Sequence, residues 1–214
     1  MFYLNDKLEF PPPQSASPDG IVAVGGDLSP DRLKLAYKNG IFPWFEDEDI
    51  IVWWSPDPRM VIFPDKLKVS ASMRRLMKKN YFKITHNTHF EDVIYNCAKI
   101  SRSGQSGTWI TNGIIEAYTE LHNKGIAKSV EVWKDEKLVG GLYGIDLGHI
   151  FCGESMFSAA SNASKAAFIA LVNKLKAENY KLVDCQVYTS HLESLGAEEI
   201  PRKEFLKILK GEYK

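Results

Sequence analysis

The sequence predicts a mixed α+β fold, with a small N-terminal α+β domain over residues 1–63 and a larger mixed-sheet domain over 64–214. Two observations carry this reading. Three strand-like runs, SVEVWK, KLVGGLYGIDL and HIFCGESMF, follow one another with only short turns between them, the pattern of an antiparallel meander. A long apolar helical run, SKAAFIALVNKLKAE, then returns the chain to one more strand, LVDCQV, and a helix placed between strands makes a parallel crossover.

Taken in order, FPPPQSASPDG is a proline-rich, non-regular lead-in. The stretch IVAVGGDLSPDRLKLAYKNG reads as a short strand, a tight turn at Gly25 and Gly26, and a helix. Ser29 is a good N-cap for that helix, Pro30 suits its first position, and Gly40 closes the far end. GIFPWF, the acidic loop EDED and the strand IVWW follow, and SPDPR is a turn because two prolines cannot continue a ladder. Met60 to Phe63 forms another strand, and the domain boundary is placed near Pro64.

Beyond it, Ser70 to Asn80 makes a basic helix and Tyr81 to Thr85 an extended stretch. Phe90, Val93, Ile94 and Cys97 share one helical face within 89–99. The polar loop SRSGQSGT leads to a helix over 112–124, the three strands follow, and Asn162 caps the long helix. PRKEFLKILK closes the chain as a helix. The glycines of GGLYG sit within strand signals, where they mark a bulge or a close backbone approach.

Composition narrows the function. Lys plus Arg and Asp plus Glu both number 27, so any grip on nucleic acid must come from a local patch. Three cysteines with no CxxC pair point away from a disulfide framework and from structural zinc. No apolar run approaches the roughly 18 residues of a membrane span, and MFYLNDKLEFPPP lacks the form of a secretory signal. The expectation is a soluble protein of a reducing compartment, the cytoplasm. There is no GxxxxGK[ST] loop, no HExxH and no GxSxG elbow.

Four features could carry chemistry. Asp184 and Gln186 alternate onto one face of LVDCQV, where a carboxylate and a carboxamide are costly to bury unless satisfied or useful. Glu154 lies inside FCGESMF, either as a satisfied core residue or as a negative well for a cationic group. Aromatics crowd the N-terminal third; most are core, though an exposed ring in a cleft would stack on a nucleobase. Finally, MRRLMKK places Arg74 with Lys78 and Arg75 with Lys79 at i and i+4, within a stretch from Pro64 to His86 that holds seven basic residues and one acid. That is either a solvated face or a site for an anionic partner.

The runs VGGDLSPDRLKLAYKNGIFPWF, WWSPDPR, GTWITNGIIEAYTELH, SVEVW, LVGGLYG, FCGESMFS, NASK and DCQV together resemble the leucyl/phenylalanyl-tRNA–protein transferases, in family order from about Gly20 to Lys207. The resemblance implies a small N-terminal domain on an N-acetyltransferase-like catalytic domain. It implies transfer of Leu or Phe from aminoacyl-tRNA to the α-amino group of proteins beginning with Arg or Lys, marking them for N-end-rule degradation, with no metal or other cofactor. By matching positions, Asp184 and Gln186 are the catalytic pair, Glu154 holds the acceptor's amine or its basic side chain, and Trp109 flanks that site. Leu142, Phe151, Met156, Phe168, Leu171 and Leu175 wall the amino-acid pocket. Tyr37 and Trp44 receive the terminal adenosine, and Arg74, Arg75, Lys78 and Lys79 meet tRNA phosphates. Departures from the family pattern are a longer polar loop near 101–106, a short end after the last helix, and exchanged Arg and Lys positions in MRRLMKK.

Two rival classes stand beside this reading. An acyl-CoA N-acetyltransferase would need a glycine-rich pyrophosphate loop before the long helix, where MFSAASNASK has no glycine. A non-catalytic RNA-binding module would leave Asp184, Gln186 and Glu154 without a role. A monomer is expected, because no spare apolar surface helix stands out.

Overall fold

A computed structural model describes residues 1–45, 50–100 and 109–212. The acidic loop 46–49 and the polar loop 101–108, read above as longer than usual, lie outside the described residues.

The N-terminal part is a four-stranded sheet. Strands β1 (Phe2–Leu4), β2 (Ile21–Gly25), β3 (Phe42–Pro43) and β4 (Val52–Trp54) lie in the order β1-β2-β4-β3. Helix α1 (Pro30–Lys38) sits between β2 and β3. The Ser29 hydroxyl accepts from the Arg32 N–H, Pro30 opens the helix, and Gly40 turns the chain out with φ 73°.

A seven-stranded mixed sheet makes up the rest. Its strands are β5 (Arg59–Ile62), β6 (Lys83–His86), β7 (Ala127–Lys134), β8 (Lys137–Asp146), β9 (Ile150–Ser158), β10 (Leu182–Gln186) and β11 (Glu198–Ile200). They lie in the order β11-β5-β10-β9-β8-β7-β6. The meander β7-β8-β9 is antiparallel and β10 joins β9 in parallel, as the sequence order requires. Strand β5 pairs with β10 and β11, so it belongs to the large sheet. The chain therefore leaves the small sheet after Trp54, several residues before the boundary near Pro64 expected from the sequence.

Two apolar layers flank the large sheet. On one face lie helices α3 (Phe90–Lys99) and α4 (Asn112–Asn123), with Phe90, Tyr118 and Tyr143 in a core that continues into α1 and Trp53. On the other face α5 (Ala163–Ala177) presents Phe168, Leu171, Val172 and Leu175, beside Met73 of α2 (Ala71–Lys78). Asn162 does not cap α5 through its side chain; it takes a left-handed conformation, and the Ser158 hydroxyl accepts the Ser164 N–H instead. Short elements that escaped the sequence reading include the strands β1 and β3, helix α6 (Ser190–Ser194) and the edge strand β11. Helix α7 (Arg202–Leu209) closes the described chain.

The glycines of β8 act as the pattern predicts. A Cβ on Gly140 would lie 2.6 Å from the Ala163 Cβ, so Gly140 lets α5 start directly against the sheet. A Cβ on Gly144 would lie 2.2 Å from the Cys152 carbonyl oxygen, and the β8–β9 register shifts just there, between Tyr143 and Gly144. The shift leaves Glu154 as the extra residue of β9, opposite no partner.

Candidate active site in the split between two parallel strands

The parallel pair β9 and β10 is bonded only as far as Asp184 opposite Cys152. Strand β9 runs on to Ser158 along β8, while β10 shifts register against β5 between Asp184 and Gln186 and ends there. The sheet therefore opens between the two strands. Gln186 makes the turn in the left-handed region, at φ 65°, an uncommon conformation for a residue with a side chain that often accompanies function.

A cavity of about 370 Å³ occupies this opening. Its apolar half is formed by Leu142, Met156, Phe168, Leu171, Val183 and Leu192, contributed by the sheet, α5 and α6. Its other wall comes from β3 and the residue after it, through Phe42 and Trp44, and from the segment leading into α4, through Trp109. Glu154 and Gln186 sit where the two halves meet. The Gln186 Nε2 donates to Glu154 Oε1 at 2.9 Å, so side chains bridge the strands where the ladder has stopped.

Glu154 is the end of a buried polar chain. The Tyr118 hydroxyl donates to Glu154 Oε2 at 3.3 Å and is itself hydrogen-bonded to the Tyr37 hydroxyl. Burial pushes the Glu154 carboxyl up to about 7; hydrogen bonds from Tyr37, Tyr118 and Gln186 oppose the rise, and the nearby Asp184 charge adds to it. Burial also pushes both tyrosines well above 10, so they remain hydroxyl donors.

Asp184 is placed differently. Both its oxygens face Arg59, with Nε to Oδ1 at 2.8 Å and Nη2 to Oδ2 at 2.7 Å, and both side chains are 1% exposed. The Arg59 guanidinium lies between the rings of Phe42 and Phe205, at 4.8 and 4.6 Å from their centroids. Asp184 Oδ1 also accepts the Gln186 N–H at 3.0 Å. The carboxylate thus holds the backbone of the turn and is not on the cavity wall.

The structure brings most of the expected residues to one place and sorts out others. Glu154, Gln186, Trp109, Trp44, Leu142, Met156, Phe168 and Leu171 all line the cavity. Phe151 and Leu175 do not; with Leu171 they line a second, smaller cavity rimmed by His86, Asp146 and Tyr180, because Phe151 lies at the start of β9 and Leu175 one turn beyond Leu171 on α5, farther along the same apolar layer. Tyr37 is 2% exposed and lies behind Tyr118, so its ring has no open face for an adenine, whereas Trp44 lines the cavity. Arg74, Arg75, Lys78 and Lys79 are all exposed on α2, and no ion pair neutralises them among the described residues.

Several functional neighbours were not read from the sequence. Arg59 heads an otherwise apolar strand, and a lone arginine there was itself the signal that a buried carboxylate waits elsewhere. Phe42 and Tyr118 looked like ordinary core positions. Among the described residues no cluster of three His, Cys, Asp or Glu could hold a metal, and no helix is long and apolar enough to cross a membrane.

Comparison with known proteins settles the family. Residues 61–210 match the model of the leucyl/phenylalanyl-tRNA protein transferase, and residues 26–57 that of its N-terminal domain. The chain belongs to this family. A leucyl/phenylalanyl-tRNA–protein transferase of Flavobacterium johnsoniae is 65% identical over 99% of this chain and 100% of its own. Relatives of the same name from Flavobacterium psychrophilum and Syntrophobacter fumaroxidans are 58% and 51% identical, each over 98% of this chain and over 100% and 89% of their own. Among solved structures, a ribosomal-protein-alanine N-acetyltransferase from Brucella melitensis biovar Abortus 2308 overlaps in part, at 12% identity and a TM-score of 0.38 over 53% of this chain and 84% of that one. The transferase family is thus an aminoacyltransferase family whose members take their amino acid from tRNA.

Proposed function

We propose that this transferase moves Leu or Phe from its tRNA ester onto the α-amino group of proteins that begin with Arg or Lys, marking them for N-end-rule degradation in the cytoplasm, and that it works as a monomer. The observation that carries the reading is the cavity itself. Its lining is largely apolar, its volume suits one large aliphatic or aromatic side chain, and Glu154 on its wall offers a carboxylate that would attract an amine.

The chemistry asks little of the protein. An aminoacyl ester is already activated, so the residues must hold amine and ester together and support the charge that develops on the carbonyl. In this reading the amino-acid side chain enters between Met156 and Phe168. Met156 adapts to either a branched or a flat group. Trp44 offers a face to the terminal adenosine, and Trp109 closes the acceptor side. Gln186 presents its amide at the reacting carbonyl. Asp184, fixed by Arg59, acts through Gln186 by pinning the turn on which that side chain stands.

The four cations of α2 would meet acceptor-stem phosphates. Replacing Arg74 and Lys78 by Gln is expected to raise KM for leucyl-tRNA roughly tenfold and leave kcat unchanged, and to lower the slope of log affinity against log salt by about one per lost contact. An unchanged KM and salt slope would remove α2 from the tRNA path.

Acceptor choice is tested by incubating the protein with labelled leucyl-tRNA and peptides beginning with Arg, Lys or Ala. Label in the first two and not the third is expected. Equal labelling of all three would defeat the acceptor rule, and labelling of none would defeat the transferase reading.

A further inference from the structure

We propose that Glu154, and not Asp184, is the group that accepts the proton of the attacking amine and delivers it to the departing ribose oxygen. The inference rests on the transferase reading above and deepens it, by giving the proton a place to go.

The geometry separates the two carboxylates. Asp184 has Oδ1 taken by Arg59 Nε and the Gln186 N–H, and Oδ2 taken by Arg59 Nη2. A substrate amine could reach it only by breaking a buried bidentate pair. Glu154 lies on the cavity wall, partly accessible, with Gln186 donating to Oε1, Tyr118 donating to Oε2, and Tyr37 beside Tyr118. A carboxylate has about four acceptor positions, so beside these three donors one position is left for an amine N–H. The Gln186 amide fixes Glu154 beside the place where the ester must lie.

The step balances. The acceptor enters as a neutral amine, and its nitrogen bonds to the ester carbonyl carbon as Glu154 takes one N–H proton. The bond from that carbon to the ribose oxygen then breaks, and Glu154 returns the proton to the oxygen. An amide and a free ribose hydroxyl result, and the carboxylate is regenerated. No other reactant is needed.

The surroundings of Glu154 suit a group that must gain and lose a proton near neutrality. Tyr37 from α1, Tyr118 from α4 and Gln186 from β10 hydrogen-bond to it or to one another, Tyr143 of β8 packs edge-on against Tyr118, and the charge of Asp184 acts from β10 with Arg59 behind it. Cys152 of β9 is buried and its thiol is pushed up, so it stays neutral. His191 also lines the cavity, from α6, but burial and the charge of Lys165 lower its pKa, and its Nε2 is enclosed by protein with no hydrogen-bond partner among the described residues. The carboxyl of Glu154, raised to about 7, is matched to a proton carrier at working pH.

The test is the pH profile of kcat/KM for an Arg-initiated peptide, in the wild type, Glu154→Gln and Glu154→Asp. The wild type needs both Glu154 and the amine deprotonated, the amine titrating at about 8, so the logarithm of kcat/KM should fall with slope two at low pH. In Glu154→Gln the slope should drop to one, and kcat should fall ~10²-fold. Glu154→Asp should keep slope two with a shifted break. Thermal unfolding identifies any variant that has lost its fold, and the aspartate variant then carries the comparison. Slope two retained in Glu154→Gln, or a rise in KM with kcat and profile unchanged, would overturn the proposal and leave Glu154 as an acceptor-binding residue. Absence of transfer by the wild type at every pH would instead overturn the transferase reading.

Discussion

Arg59→Met is expected to destabilise the protein by about 3–5 kcal/mol, because it strands the buried Asp184 carboxylate without a counter-charge. The loss would be read from the midpoint of urea unfolding at constant m. A double variant, Arg59→Met with Asp184→Leu, should recover most of that stability, since an apolar pair of similar volume no longer has a charge to desolvate. It should still be a poor enzyme. Removing Asp184 takes the acceptor away from the Gln186 N–H, and the turn that aims Gln186 loses its anchor. A double variant that is both stable and fully active would show that the ion pair serves the fold alone.

Gln186→Gly is expected to lower kcat ~10²-fold, on the scale of losing one preorganised donor at a reacting carbonyl. Its stability should be close to wild type. The variant loses the hydrogen bond to Glu154, but it also relieves a side-chain-bearing residue at φ 65°, and glycine takes that conformation freely. Single-turnover transfer and a urea melt on the same preparation separate the two effects. Activity near wild type would mean that the Gln186 side chain is not at the reacting centre. A large loss of stability would mean that its bond to Glu154 holds the two strands together.

What was legible in the sequence was mostly local. The caps of α1 and the run β7-β8-β9 follow from signals within a few residues of each other, and so does the basic face of α2. The return from α5 to β10 was legible for the same reason, as was the close approach made possible by the glycines of β8. What could not be read depended on partners far along the chain. Asp184 was read together with Gln186, and the guanidinium that both its oxygens face, that of Arg59, lies 125 positions away. The partners of β5 lie about as far along the chain, so nothing near this strand showed which sheet it joins. Simple alternation placed Asp184 and Gln186 side by side; the register shift against β5 then turned Gln186 toward Glu154. Tyr37 was read as a stacking ring, and helical periodicity gives no sign that Tyr118 and Glu154 lie in front of it. The candidate site was therefore visible as a set of residues, and its division of labour was not.

The most direct measurement of the central claim is the mass and N-terminal sequence of a peptide beginning with Arg, recovered after incubation with leucyl-tRNA and the purified protein. The account predicts the addition of one leucine, joined to the α-amino group so that the sequence begins Leu-Arg, and no addition to the same peptide when its N-terminus is acetylated. Leucine on a lysine side chain, addition to the acetylated peptide, or an unmodified peptide beside intact leucyl-tRNA would contradict it.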